Sequence, residues 1–183
     1  MKRCFWVDEK SEIYKKYHDE EWGKPKFDDR DLFELLILEG FQAGLSWLTV
    51  LKKREAFKIA YEKFDVKKVA EFGENKIAEM LANKDIIRSE QKIRASILNA
   101  KIFIQIQKEF GSFSNYIWGF TENKVVVNTT GKIIVSNELS DKISKDLKKR
   151  GMKYVGTVII YSYLQAIGVV NDHDKDCFLS PSI

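Results

Sequence analysis

The chain has 183 residues, with 31 Lys and Arg against 27 Asp and Glu and a formal net charge of +4. Its hydrophobic fraction of 44% is sufficient for a packed interior. No apolar run approaches the ~18 residues that a membrane helix requires, and no apolar segment follows the basic start MKRCFWVDEK. We therefore expect one cytoplasmic, monomeric domain over residues 1–183, with no membrane partner.

The first half of the chain repeats apolar residues at helical spacing. DDRDLFELLILEG predicts a helix that is capped by Asp28 or Asp29 and stopped by Gly40. A second helix is predicted from about Gly44 to Phe64. Two short helices are predicted over DVKKVAEF and ENKIAEMLAN, the first of them capped by Asp65.

The second half is also mainly helical. SEQKIRASILNAKIFIQIQKEFG predicts the longest helix, with Ser89 as its N-cap. Its expected apolar stripe consists of Ile93, Ile97, Ala100 and Ile104. FSNYIWGF predicts a short helix, SDKISKDLKKRG a charged surface helix stopped by Gly151, and VGTVIIYSYLQAIG an apolar core helix stopped by Gly168.

One segment departs from this pattern. NKVVVNTTGKIIVSNEL is rich in Val and Ile around Thr130-Gly131, so it is compatible with a β-hairpin. An isolated hairpin is marginally stable in water, and an ordered loop is the alternative. The predicted fold class is all-α.

The chain contains two histidines and two cysteines, which lie near its two ends as Cys4, His18, His173 and Cys177. Thiolate and imidazole are the ligands that zinc prefers, and four of them form a closed, structural site. An ion bound to all four would fasten the two termini together. The alternative is that the cysteines are buried hydrophobic residues and the histidines are ordinary ones.

Aromatic and acidic residues cluster in the first 50 positions. YKKYHDEEWG contains Tyr14, Tyr17 and Trp22, and LEGFQAGLSW contains Glu39 and Trp47 on either side of a predicted turn. An aromatic pocket with one carboxylate suits a flat cationic ring, which the aromatic faces and the carboxylate both attract. The alternative is that the aromatic residues belong to the core and that Glu39 lies on the surface.

Five strings resemble the DNA-3-methyladenine glycosylase I family: RCFWV, YHDEEWG, LEGFQAGLSWLTVLKKRE, LKKRGMKYVGT and GVVNDH. The resemblance extends from Arg3 to about Cys177. It implies a helix–hairpin–helix glycosylase fold in which a structural zinc joins the N- and C-terminal segments. It also implies excision of 3-methyladenine from alkylated double-stranded DNA, with release of the free base and an abasic site left in an uncut strand.

The resemblance assigns roles to individual residues. The zinc ligands are Cys4, His18, His173 and Cys177. The damaged base stacks on Trp47, while Glu39 and Tyr17 hydrogen-bond to its edge, and Glu39 is the candidate catalytic residue. Further candidates for the wall of the base-binding pocket are Trp6, Tyr14, Trp22 and Ser162.

The expected hairpin departs from the wider superfamily, whose turn is rich in glycine. NKDIIRSEQKIRA contains no glycine, so Arg88, Lys92 and Arg94 are candidates for phosphate contact instead. The basic strings LKKRE, residues 51–55, and LKKRG, residues 147–151, are further candidates, or simply solvated helix faces. No catalytic Asp after the hairpin is identified.

Two other functions are compatible with these residues. A zinc-stapled DNA-binding domain would recognise a modified base without excising it, and release of free base from methylated DNA distinguishes the two. A zinc hydrolase needs an open coordination position. It is disfavoured because four protein ligands would close the site.

Overall fold

Residues 1–181, which the computed structural model describes, form a mostly helical protein, as the sequence predicted. The helices are α1 (Glu12–Glu20), α2 (Asp29–Gln42), α3 (Trp47–Ala60), α4 (Val66–Ala70), α5 (Glu74–Ala82), α6 (Glu90–Phe110), α7 (Phe113–Gly119), α8 (Glu138–Lys149) and α9 (Thr157–Ala166). A 3₁₀ turn, Glu62–Phe64, follows α3. Two short strands, β1 (Val126–Val127) and β2 (Val170–Asn171), pair in parallel. No helix among the described residues is long and apolar enough to cross a membrane.

Helix α2 lies at the centre of the core. Every residue from Leu32 to Leu38 is buried, and the helix packs against α3, α6, α7 and α9. Asp28 caps its start by accepting hydrogen bonds from two backbone N–H groups. The neighbouring Asp29 instead accepts from Phe113 N and Ser114 N at the start of α7, so the two aspartates serve two different helices.

The prediction that Gly40 stops this helix was wrong. Helix α2 continues to Gln42, and it is Gly44 that adopts the left-handed conformation, with φ +79°. Gly40 instead provides room for Tyr154, whose Cβ lies 3.5 Å from the position that a Cβ on Gly40 would take. A glycine in an apolar helix therefore marked a close packing contact here rather than a helix end.

The second helix is shorter than predicted at both ends. Ser46 caps it through Thr49 N, so it begins at Trp47 rather than at Gly44. It ends at Ala60, because all three residues of the following turn, Glu62–Phe64, have left-handed φ values between +51° and +56°. In the longest helix the predicted Ser89 cap is confirmed. Ile104 is only half-buried, since the buried stripe passes through Phe103 and Ile106.

The segment around Thr130-Gly131 forms no hairpin, and the loop alternative is confirmed. Strand β1 pairs with β2, which follows α9, and Val126 N donates to Val169 O at 2.9 Å. The partner strand thus comes from a distant part of the chain, which local propensity does not reveal. The predicted stops at Gly151 and Gly168 are confirmed, since both have positive φ.

Helix α1 was not predicted. Its sequence EIYKKYHDE is polar over most of its length, and its apolar residues are only Ile13, Tyr14 and Tyr17, at helical spacing. This short period was not used to predict a helix. Ser11 caps it through Tyr14 N, and its inner face buries Tyr17 and His18. Tertiary packing of these two side chains stabilises a helix that propensity alone leaves undetermined.

Candidate functional site

A cavity of about 610 Å³ opens where the N-terminal segment, α1, the end of α2, the start of α3 and α9 meet. The loop 131–135 lies at one side of its mouth. All seven residues predicted for the pocket line it: Trp6, Tyr14, Tyr17, Trp22, Glu39, Trp47 and Ser162. Sequence positions from 6 to 162 therefore meet in one place.

Glu39 is the buried acid of this cavity. It lies in the last turn of α2 with 3% of its surface exposed. Its Oε2 atom is buried without a hydrogen-bond partner, and burial raises the pKa of the carboxyl to about 8. The indole Nε1 of Trp47, at the first position of α3, is likewise buried and unpartnered. Buried polar atoms are almost always hydrogen-bonded, so these two indicate that a polar ligand completes the cavity.

Aromatic rings form the walls around these two groups. The ring of Tyr17 lies 5.5 Å from that of Trp47 at an interplanar angle of 54°. Trp6 packs edge-to-face with Tyr14 at 5.4 Å and with Trp22 at 5.0 Å. Burial and the nearby Glu39 raise the pKa of Tyr17 well above its usual value. The Tyr17 phenol therefore stays protonated and available as a hydrogen-bond donor.

Several lining residues were missed by the sequence analysis. Gln42 lies three positions after Glu39, so helical spacing alone was a usable signal for it. Asp172 accepts hydrogen bonds from Tyr161 Oη at 3.0 Å, Gln165 Nε2 at 2.6 Å and Asn128 Nδ2 at 2.6 Å. It thus joins α9 to the loop after β1, and no sequence signal pointed to that contact.

The four predicted metal ligands come together beside the cavity. One ligand atom from each of Cys4, His18, His173 and Cys177 lies within 4.8 Å of all the others. Both cysteines are free and buried. His173 Nε2 is buried without a hydrogen-bond partner, and His18 Nε2 lies 3.4 Å from Cys177 Sγ. Two sulfurs and two imidazole nitrogens at this spacing fit a tetrahedral zinc ion.

The outer nitrogens of both imidazoles are already engaged. His18 Nδ1 lies 2.7 Å from Asp19, which Arg3 holds through its guanidinium. His173 Nδ1 lies 2.9 Å from Asn171 Oδ1. Burial lowers the pKa of His173 to about 4. With Nδ1–H donating to Asn171, the Nε2 lone pair of the neutral ring faces the cluster, as a metal ligand requires.

Several of the basic residues proposed for phosphate contact already pair with other groups of the protein. Arg94 pairs with Glu74 and Glu90, and Lys92 donates to two main-chain carbonyls. In the basic strings, Arg54 pairs with Glu21 and Glu34, and Arg150 pairs with Glu109 and Asp146. These side chains are therefore already paired with other groups of the protein, although Arg94 and its partners lie on the surface. The exposed Arg88, Lys52, Lys148 and Lys149 form no ion pair or side-chain hydrogen bond within residues 1–181.

Solved structures define the class to which this fold and cavity belong. A crystal structure of 3-methyladenine DNA glycosylase I is 44% identical and covers 98% of this chain and 100% of its own, with a TM-score of 0.93. A structure of the Staphylococcus aureus enzyme, described for its recognition of 3-methyladenine, is 34% identical over 99% of this chain and 97% of its own, also with a TM-score of 0.93. The fold is therefore that of a 3-methyladenine DNA glycosylase.

Sequence comparisons identify the family itself. The methyladenine glycosylase family matches residues 6–180. The DNA-3-methyladenine glycosylase of Haemophilus influenzae is 44% identical over 96% of this chain and 96% of its own length. DNA-3-methyladenine glycosylase 1 of Escherichia coli is 44% identical over 99% and 98%. This chain belongs to the methyladenine glycosylase family.

Proposed function

We propose that this protein excises 3-methyladenine from alkylated DNA by hydrolysing the N-glycosidic bond and leaving an abasic site. The observation that carries the proposal is the pair of buried, unpartnered groups, Glu39 Oε2 and Trp47 Nε1, in a cavity walled by aromatic rings. The activity named for the Haemophilus influenzae and Escherichia coli relatives supports it. So does a solved relative, 34% identical, in complex with 3-methyladenine.

The chemistry of the lesion determines what the protein must contribute. Methylation at N3 gives the adenine a positive charge, so the base leaves the sugar as a neutral molecule and needs no strong acid. The protein must extract the base from the helix, which costs a few kcal/mol. Stacking on an aromatic ring returns about 1–3 kcal/mol per base. The cavity is therefore required mainly to hold the extracted ring and admit water to the sugar carbon.

The residues of the cavity divide this work. We assign stacking to Trp47, and hydrogen bonding to the edge of the base to Glu39 and Tyr17. In the free protein the raised pKa keeps much of Glu39 protonated at neutral pH. A cationic base beside it favours the ionised form, so the charge of the lesion would itself generate its counter-charge. Trp6, Tyr14, Trp22 and Ser162 complete the wall.

The decisive experiment is base release from methylated duplex DNA, with the free products separated and identified. We expect release of 3-methyladenine and an intact strand. Glu39→Gln should slow release, and the exposed Glu138→Gln should leave it unchanged. Binding of methylated DNA without any release would instead establish the non-enzymatic alternative, a zinc-stapled domain that recognises modified bases.

A second variant tests the stacking role. Trp47→Ala should weaken binding of free 3-methyladenine by about 1–3 kcal/mol, because the aromatic face that holds the ring is removed. Titration calorimetry measures this affinity directly. Ile59→Ala is the matched control, since Ile59 lies on the same helix and is 78% exposed. Equal affinities of the two variants would remove Trp47 from the base-binding site.

We also propose that Cys4, His18, His173 and Cys177 bind a structural zinc ion. The mutual distances, the burial and the free Nε2 of His173 support this site. The ion would supply a rigid link between the N-terminal segment and the segment after β2. A closed set of four protein ligands leaves no position for a reacting water, so we assign it no step in catalysis.

We further propose that α5, the loop 83–89 and α6 form the helix–hairpin–helix that anchors DNA. Two successive helices that pack together and an exposed Arg88 in their connection support this assignment. Lys132 and Lys175 at the mouth of the cavity are further candidates for phosphate contact. Each phosphate contact should contribute about 0.9 to the dependence of log affinity on log salt concentration.

The remaining expectations stay predictions. A single glycosylase domain over residues 1–183 is supported by the continuous family match over 6–180 and by a ligand set drawn from both ends of the chain. A monomer and a cytoplasmic location are part of the same proposal. Gel filtration with light scattering measures the first, and cell fractionation the second.

A further inference from the structure

Lys92 makes an unusual pair of contacts for a lysine near the surface. It lies in the first turn of α6, and its Nζ donates to the carbonyl oxygens of Phe41, at 3.0 Å, and of Ala43, at 2.6 Å. These carbonyls belong to the C-terminal end of α2, where the last backbone acceptors have no partner within the helix. Helix α2 has no basic residue in its own last turn. A cation from another helix therefore caps it, where the helix dipole favours positive charge.

The capped segment is the one that carries the base-binding groups. Glu39 precedes Phe41 by two residues, and Trp47 follows Ala43 by four. The turn between α2 and α3 thus sets where the carboxylate lies relative to the indole. Glu39 Oε2 and Trp47 Nε1 are buried in the cavity without a hydrogen-bond partner. Neither atom therefore makes a hydrogen bond that would hold its side chain in place. Their geometry depends on the backbone that Lys92 binds.

Lys92 is itself held in position by a second layer of contacts. Its ammonium lies 6.0 Å from the centre of the Tyr154 ring, and the Cβ of Tyr154 packs on Gly40. Tyr154 has a left-handed φ of +56°. The residue before it, Lys153, is fixed by Asn99, which accepts from its N–H and donates to its carbonyl, both at 2.9 Å. Within residues 1–181 Lys92 forms no ion pair, so the two carbonyls are its strong partners.

From these contacts we infer that Lys92 is a positioning residue of the base-binding site. Its ammonium tethers the end of α2 to α6 and thereby holds Glu39 and Trp47 at the spacing that the extracted base requires. The inference rests on the proposed excision activity where the excision rate is measured. The measurement of affinity for the free base does not depend on that activity. Lys92 would act through Glu39 and Trp47, without touching the base.

The chain offers a closely matched control in Lys53. Its Nζ also donates to two main-chain carbonyls, Lys84 O and Asp85 O, each at 3.1 Å. These carbonyls lie in the loop 83–89, which is proposed to anchor DNA but lies outside the residues that line the cavity. This makes Lys53 a control for affinity to the free base, not for the excision rate on DNA. Lys92→Met and Lys53→Met therefore remove the same charge and the same number of hydrogen bonds, but only the first affects the turn before Trp47.

The test compares the two variants in three measurements. Free 3-methyladenine affinity is measured by calorimetry, the excision rate by single-turnover kinetics on methylated DNA, and stability by urea unfolding. We expect Lys92→Met to lose about 100-fold in single-turnover rate, the scale that misplacement by about 1 Å produces, with a parallel loss of affinity for the free base. Lys53→Met should keep the wild-type affinity for the free base. Lys92→Arg, which keeps a cation with several donors, should recover part of the loss.

Two results would overturn the inference. In the first, Lys92→Met and Lys53→Met bind the free base equally well. In the second, Lys92→Met loses affinity for DNA but keeps its affinity for the free base, and the slope of log DNA affinity against log salt concentration falls by about 0.9. Lys92 would then be a phosphate contact. If Lys92→Met does not fold, Lys92→Gln is compared with Lys53→Gln instead. The shorter Gln side chain removes the charge but keeps an amide group that can donate a hydrogen bond. A wild-type protein that binds 3-methyladenine without excising it would contradict the proposed function and still leave the affinity comparison valid.

Discussion

At the scale of single residues, Glu39 shows how burial changes the properties of an ordinary acid. Its identity is visible in the sequence, and the resemblance predicted its role. Its unpartnered Oε2 and its raised pKa are not visible there, because both result from burial among residues of α1, α3 and α9. The property on which its proposed role depends is therefore set by the tertiary structure.

This burial has a measurable effect on stability. The pKa of Glu39 is raised from 4.5 to about 8 in the folded protein, so between these pH values the native state binds more protons than the unfolded state. Stability due to this group is then present below about pH 4.5 and is lost as pH rises towards 8. Since one pKa unit corresponds to about 1.4 kcal/mol, the total amounts to about 5 kcal/mol at most.

We therefore expect Glu39→Gln to stabilise the free protein progressively as pH rises from about 5 to 8. Gln cannot ionise, so it avoids the cost of a buried carboxylate while keeping a similar volume. Urea unfolding of the variant and the wild type at several pH values measures the difference. A difference that does not change with pH would show that Glu39 titrates normally in the fold.

At the scale of elements, close approaches between segments determine how the site is assembled. Gly23, just after α1, has a left-handed φ of +74°, and a Cβ there would lie 2.5 Å from Cε1 of His173. The imidazole of a predicted metal ligand thus packs directly on backbone. Gly40 plays a similar part for Tyr154 at a more relaxed 3.5 Å. In both cases the glycine permits packing, which its position in the sequence did not reveal.

Gly23→Ala should damage both stability and metal binding. The left-handed backbone strains any residue with a Cβ, at a cost of about 1–3 kcal/mol, and the methyl group would also displace the ring of His173. Urea unfolding and the zinc content of the purified protein measure the two effects. Gly73→Ala is the control, because that glycine has no neighbouring atom within 4 Å and no positive φ. Equal behaviour of the two variants would contradict the packing of His173 on Gly23.

At the scale of the whole molecule, the two ends of the chain meet beside the cavity. Phe178 N donates to Lys2 O at 2.9 Å, and Asp174 accepts from Phe5 N at 2.7 Å. Two of the four candidate zinc ligands adjoin these contacts, because Cys4 lies between Lys2 and Phe5 and Cys177 precedes Phe178. Trp6 and Tyr17 belong to the fastened segment and line the cavity. The metal site would therefore affect base binding indirectly, through the wall that it holds in place.

Removing the metal should loosen the ends of the chain before the middle. Termini are poorly ordered unless they are tied down, whereas α6 is buried along one face. We expect a chelator to release about one zinc per chain, to speed amide exchange in residues 1–22 and 170–181, and to leave α6 protected. Cys177→Ala should have the same effect without a chelator. Purified protein with no bound zinc, or with unchanged exchange after chelation, would contradict the proposed clasp.

The sequence by itself determined the helical fold class and most helix starts, because caps such as Asp28, Asp65 and Ser89 act over three residues. Through family resemblance it also identified the seven cavity residues that the structure brings together. Tertiary structure alone decided the pairing of β1 with β2, the continuation of α2 past Gly40, and the pairing of Lys92, Arg54 and Arg94 with other groups of the protein. The physical reason is range. Capping and periodicity are local, whereas burial, charge pairing and close backbone approach depend on residues that are distant in sequence and meet only in the fold.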